Sequence, residues 1–160
     1  MVAGDSYLRL IPSSIAEAIL HTTSSSRRSF AVACANIAVD HCARGAMLGL
    51  DDGAEMSLSQ LRDQAVAAQE RGEIEAIDRN LGRREDQLYA ALSGMRADDA
   101  EAPYSEFVRL STQRHAIRAL RAAILPDGFS AAARAAFETI SATRDEQQVE
   151  RLALATMTAA

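Results

Sequence analysis

Three groups of residues have the types and spacing to do chemistry. His41 follows Cys34 by seven residues and stands beside Cys42, and on a helix that interval puts His41 and Cys34 on one face. Such an imidazole could ligate a metal or accept a phosphoryl group, or simply pack between core helices. A structural zinc site needs four ligands. Glu17 and His21, an i, i+4 pair, complete the set only if two helices meet in one register. In the second group, Arg114, Arg118 and Arg121 recur at i, i+4 and i+7, within an arc of about 60° on a helix. They border an apolar stripe of Leu110, Ile117, Leu120 and Ile124. Guanidinium groups in a row suit an acidic partner or a phosphate, or else snorkel over apolar surface and pair with carboxylates. The third is Arg84, which stands between Leu81 and Leu88 where a heptad seam calls for an apolar side chain. Unpaired and buried it would cost several kcal/mol. It therefore pairs with a carboxylate, or it lies on a face that a partner covers.

The elements that must position these groups are all helical. The chain has 160 residues, 48% hydrophobic and 24% charged, with a formal net charge of -5. That balance excludes collagen-like, disulfide-rich and disordered chains. It contains 33 alanines, and all 17 basic side chains are arginine. Without lysine there is no Schiff-base chemistry and no phosphate-loop lysine. The expected fold is all-α, a single-domain bundle of five to seven helices over residues 1–160. Residues 1–11 read as a short lead-in. A first helix starts at Ser13 or Ser14, with capping-box spacing from Ser14 to Glu17. A second, apolar on most of its circumference, spans about Arg27 to Leu48 and belongs at the centre of the bundle. It stops at Gly49–Gly53. Ser57 and Gln60 open a third helix, to about Glu70. Arg71-Gly72-Glu73 bends the chain into a fourth, about Ile74 to Met95, with an apolar seam at Ile74, Ile77, Leu81, Leu88, Leu92 and Met95. Residues 96–102 read as an acidic loop, and Pro103 opens a helix to about Leu125. Ser130 caps the next, and Thr143–Glu146 is a capping box before the last.

Cys34 and Cys42, eight residues apart on one helix, would have backbones about 12 Å apart, too far for a disulfide. Free buried thiols in a reducing cytoplasm are expected. Ser26-Arg27-Arg28-Ser29-Phe30 resembles a twin-arginine export signal, but the apolar stretch after it ends at Asp40-His41, so the segment reads as structure. No apolar run approaches the roughly 20 residues of a membrane span. There is no glycine-rich phosphate loop, dinucleotide fingerprint, paired-cysteine metal motif or nucleophile elbow. The negative charge and few aromatics argue against nucleic acid.

Two resemblances bear on function. His41-Cys42-Ala43-Arg44-Gly45 resembles the start of the His-x-x-Lys-Gly motif of histidine phosphotransfer domains, with Arg44 in the lysine position. The likeness implies an exposed phospho-acceptor His41. Residues 58–95, especially Gln69 to Ile77 and Arg84 to Leu88, resemble the helical hairpin of flagellar and type III export chaperones. That implies a bacterial bundle holding an amphipathic helix of another protein. The reading that follows is a non-enzymatic, cytoplasmic adaptor, chaperone-like binder or assembly subunit, with no cofactor. Its expected contact residues are Arg84, Leu88, Arg114, Arg118 and Arg121. Self-association and delivery into a host cell are left open. The alternative is a phosphotransfer or metal-binding signalling module centred on His41 and Cys34.

Overall fold

The computed structural model describes residues 4–42, 47–49, 55–68 and 72–157. The lead-in contains a short helix, α1 (Gly4–Leu8). Helix α2 (Ser13–His21) starts as expected, but behind Pro12, with no side-chain cap. Ser14 Oγ instead donates to Glu150 at 2.8 Å. Thr23 caps α3 (Ser24–His41) by accepting from the Ser26 N–H. The expected continuation to Leu48 is not observed. Cys42 turns into extended backbone, and Leu48 lies in β1 (Met47–Gly49), paired antiparallel with β2 (Glu55–Ser57) in the register Leu48↔Met56. Three-residue strands are too short to write a period-two pattern into the sequence. The expected break at Gly49–Gly53 lies outside the described residues beyond Gly49, as does the Arg71 end of the expected bend.

The box before α4 (Leu58–Ala68) forms in both directions. Ser57 Oγ accepts from the Gln60 N–H at 3.1 Å, and Gln60 Oε1 from the Ser57 N–H at 2.9 Å. Helix α5 spans Gly72–Leu92 and α6 spans Ala97–Ala123. Residues 97–102 are therefore helix and not loop, and Pro103 lies inside α6. The same acidic residues that suggested a loop, Asp98 and Asp99, occupy its first turn, where the helix dipole favours carboxylates. Helix α7 (Gly128–Thr143) is capped by Asp127 rather than Ser130. The hydrogen bonds from Ser130 to the Asp127 carboxylate, side chain first and then backbone, hold its pKa below the usual value. Helix α8 (Glu146–Met157) is capped by Asp145, which accepts from the Gln148 N–H at 3.0 Å, and not by Thr143. Eight helices are present among the described residues, more than the five to seven expected.

Helices α3, α6 and α7 pack on one another and form the centre, with α5 on the outer face of α6 and α2, α8 and α1 over α3 and α7. Their meeting faces are largely alanine: Ala31, Ala35 and Ala38 on α3, Ala116, Ala119 and Ala123 on α6, Ala132 and Ala136 on α7. Small side chains allow the axes to approach toward the short end of the usual 8–10 Å range. Phe30, Ile15, Ile19, Ile117 and Leu120 fill the remaining volume and are fully buried, each worth about 1.5–3 kcal/mol. Thr139 Oγ1 ties α7 to α3 by donating to the Cys34 carbonyl at 2.9 Å.

The adjacent arginines Arg27 and Arg28 hold helix ends. Arg27 Nε donates to Ile19 O at 2.7 Å and its Nη2 to Leu20 O at 3.2 Å. Arg28 spans two carbonyls after α6, Leu125 O at 3.1 Å and Pro126 O at 2.6 Å. Helix C-termini leave orphan acceptors, and the planar guanidinium reaches two at once. Arg28→Ala should lower stability by about 1–2 kcal/mol, and Arg28→Lys should recover no more than about half of that. Urea unfolding measures both, and an Arg28→Lys variant as stable as the parent would show that the fork is not needed.

Candidate functional site

The arginine ridge of α6 faces α5, which carries carboxylates in matching spacing. Arg114 Nε lies 2.9 Å from Asp78 Oδ1, Arg118 Nε 3.1 Å from the same oxygen, and Arg114 Nη1 3.4 Å from Glu85. Arg121 reaches Glu75 at 3.4 Å. Glu75, Asp78, Gly82 and Glu85 follow one another at intervals of three, four and three on α5, so one face of α5 meets one face of α6. Asp78 is only 7% exposed. Burial works against the Arg114 charge, but the hydrogen bond and charge of Asp78, joined by Glu85, outweigh it and raise the Arg114 pKa above the ordinary arginine value. Gly82 makes room: a Cβ there would lie 2.7 Å from Arg114 Nη2 and 2.8 Å from its Cζ. The ridge is thus engaged within the chain, in the carboxylate-pairing arrangement.

Arg84 is exposed and pairs with Glu106 of α6 at 2.8 Å. The seam it interrupts is buried at Ile74 and Ile77, half-buried at Leu81, Leu88 and Leu92, and exposed at Met95. Toward the tip of the α5–α6 hairpin the apolar side chains therefore run out of covering helix. There, Tyr89, Leu92, Ala97, Ala100, Tyr104 and Phe107 line a cleft of about 550 Å³. Tyr89 is 65% and Tyr104 59% exposed, and the Tyr89 and Phe107 rings lie 6.1 Å apart. Exposed Glu101 lines the α6 side of this cleft.

His41 occupies the last turn of α3 and is exposed, whereas Cys34, on the same face, is fully buried. His41 therefore does not pack between core helices, one of the settings its spacing allowed. Seven residues carry it past the layer that buries Cys34. Burial pushes the Cys34 thiol pKa well above its ordinary value and that of Cys42 to about 11, so both stay protonated near neutral pH. Both are free. His21 and Glu17 are exposed on α2. Among the described residues no group of three or more His, Cys, Asp or Glu side chains is arranged to hold a metal ion. Arg44 and Gly45, which carry the phosphotransfer likeness, lie outside the described residues.

A second site has no counterpart among the residues singled out in α7. Tyr7 of α1, Arg118, Arg121 and Ala122 of α6, Leu125 beyond it, and Arg134 and Glu138 of α7 line a cavity of about 270 Å³. Arg134 stacks on the Tyr7 ring, 5.0 Å from its centroid. Its Nε is buried and has no hydrogen-bond partner among the described residues. Glu138, itself buried, meets His115 Nδ1 at 2.6 Å. The signal was present: Arg134 and Glu138 are an i, i+4 pair of charges inside the alanine-rich run from Ala131 to Ala136 and just past it.

Comparison with protein-family models, curated proteins and solved structures finds no match to this chain. In an exposed helix, glycine to alanine gains about 1 kcal/mol. Here Gly82→Ala displaces the Arg114 guanidinium, so the variant should be neutral or less stable than the parent. In an Arg114→Ala background the same change should stabilise by about 1 kcal/mol. Thermal or urea unfolding of the four proteins checks the reversal of sign.

Proposed function

We propose that this chain is a non-enzymatic helical-bundle protein, folded as one domain, that holds an amphipathic helix of a protein partner in the cleft at the tip of the α5–α6 hairpin. The observation that supports it best is the exposure of Tyr89 and Tyr104 together, beside Leu92 and Phe107. Aromatic side chains bury large area at small entropic cost and dominate binding hot spots. A cleft of this kind accepts the apolar residues that a helix presents at i, i+3 or i+4 and i+7. Leu88, four residues before Leu92 on the same face of α5, extends the apolar floor. Glu101, on the cleft wall, favours a partner helix with a basic residue beside its apolar face.

On this reading Arg114, Arg118 and Arg121 serve the partner indirectly. Their pairing with α5 holds the two walls of the cleft in one register. Arg84, tied to Glu106, does the same nearer the tip. The two free, buried cysteines agree with a reducing compartment.

Replacing Tyr104 by a photo-crosslinking phenylalanine analogue, in cells that make the protein, tests the proposal. The expected result is a discrete adduct whose crosslinked peptide belongs to an amphipathic helix of another protein. The adduct should be lost with Leu92→Asp and absent when the analogue replaces Gln147, at the start of α8. No adduct above the Gln147 control, or adducts joining only copies of this chain, would overturn the proposal.

A further inference from the structure

We propose that the cavity between α1, α6 and α7 binds a small phosphate monoester that carries a hydroxyl group. Arg118, Arg121 and Arg134 hold the phosphate, and Glu138 accepts from the hydroxyl. Three guanidinium groups and one carboxylate line this space, so its wall is cationic. Two of the three arginines are only partly neutralised. Arg118 shares one Asp78 oxygen with Arg114, and Arg121 meets Glu75 at 3.4 Å, with both side chains well exposed. Arg134 has no carboxylate within ion-pairing distance among the described residues, and its buried Nε lacks an acceptor there. Buried donors are nearly always satisfied, and an arginine held by stacking on Tyr7 is set in place before any anion arrives.

The ligand class follows from number and charge. Arginine forks match phosphate oxygens, and a monoester offers three terminal oxygens and close to two negative charges near neutral pH. A single carboxylate offers two oxygens and one charge. Glu138 would repel a bare dianion that filled the cavity. One of its oxygens is engaged by His115 at 2.6 Å, and in this proposal the other accepts from the hydroxyl, which discriminates in favour of a polyol phosphate over a monoester without a hydroxyl group, such as methyl phosphate. A volume of about 270 Å³ falls just below the usual range for ligand pockets, roughly 300–1,000 Å³, so the molecule must be small. This site stands apart from the hairpin cleft and does not depend on the partner reading.

Isothermal titration of the intact chain with glycerol 3-phosphate, and separately with methyl phosphate, a monoester with no hydroxyl group, tests the assignment. Glycerol 3-phosphate should bind saturably at one site and more tightly than methyl phosphate. Arg134→Gln should weaken it on the order of tenfold or more, and Glu138→Ala, which removes the acceptor, should abolish the preference for glycerol 3-phosphate. Arg121→Gln, at the half-exposed rim where folding is least at risk, should also weaken binding. Absence of saturable glycerol 3-phosphate binding would overturn the proposal. So would equal affinity for the two probes in the parent protein, or unchanged affinity in Arg121→Gln or in folded Arg134→Gln.

Discussion

One carboxylate oxygen, Asp78 Oδ1, sits between two arginine side chains of α6, and much of the molecule's outer half is arranged around it. Arg114 and Arg118 both direct Nε at that atom, at 2.9 and 3.1 Å. Asp78 is nearly out of solvent, where an unpaired charge would cost several kcal/mol. The contact therefore admits one register of α5 against α6, the register in which Gly82 lies under the Arg114 guanidinium and Glu85 meets its other edge. A one-residue slip would turn Asp78 by about 100° away from α6. Fixing this register also fixes the distance between Tyr89 and Tyr104 at the tip.

The same geometry links the hairpin to the core. Arg118 uses Nε for Asp78 while also lining the cavity shared with Arg134 and Glu138. An anion drawing on Arg118 would loosen the demand of α6 on Asp78, so the cavity and the hairpin share a residue without sharing a ligand. The central layer gives this outer arrangement a rigid base. Alanine faces bring α3, α6 and α7 close, and close packing transmits displacement rather than absorbing it. In a chain without lysine, arginine does all the cationic work, and the fork geometry is used repeatedly. Arg27 and Arg28 each close two carbonyls, and Arg114 joins two carboxylates.

Much of this was legible in the sequence, for local reasons. Helices announce themselves through periodicity and through residues that stop them, and the Ser57–Gln60 box formed as spelled. Caps were harder to read because several polar residues compete at each boundary. Asp127 and Asp145 won over Ser130 and Thr143, since a carboxylate lies at each true first position. The 97–102 segment misled because acidic residues suit both a loop and a helix start. The shared face of Cys34 and His41 was readable, but its exposure was not, because burial at the end of a helix depends on what else ends there. The spacing of Arg114, Arg118 and Arg121 leaves both an outward anion site and pairing with carboxylates open, because their partners lie 29 to 46 residues earlier. Glu75, Asp78 and Glu85 repeat the same helical period, so matching charge stripes on adjacent helices was the signal available. Arg134 and Glu138 were visible as lone charges in an alanine helix. The cavity they line requires Tyr7 and α6, which only the fold brings to them.

The claim that the α6 arginines act inward on α5 is tested most directly by a double-mutant cycle on stability. It compares Asp78→Ala, Arg114→Ala and the double variant with the parent by urea unfolding at neutral pH. A buried, hydrogen-bonded pair predicts a coupling energy of about 2 kcal/mol. A coupling below about 0.5 kcal/mol, the level of an exposed surface pair, would contradict the account and return these arginines to the surface ridge.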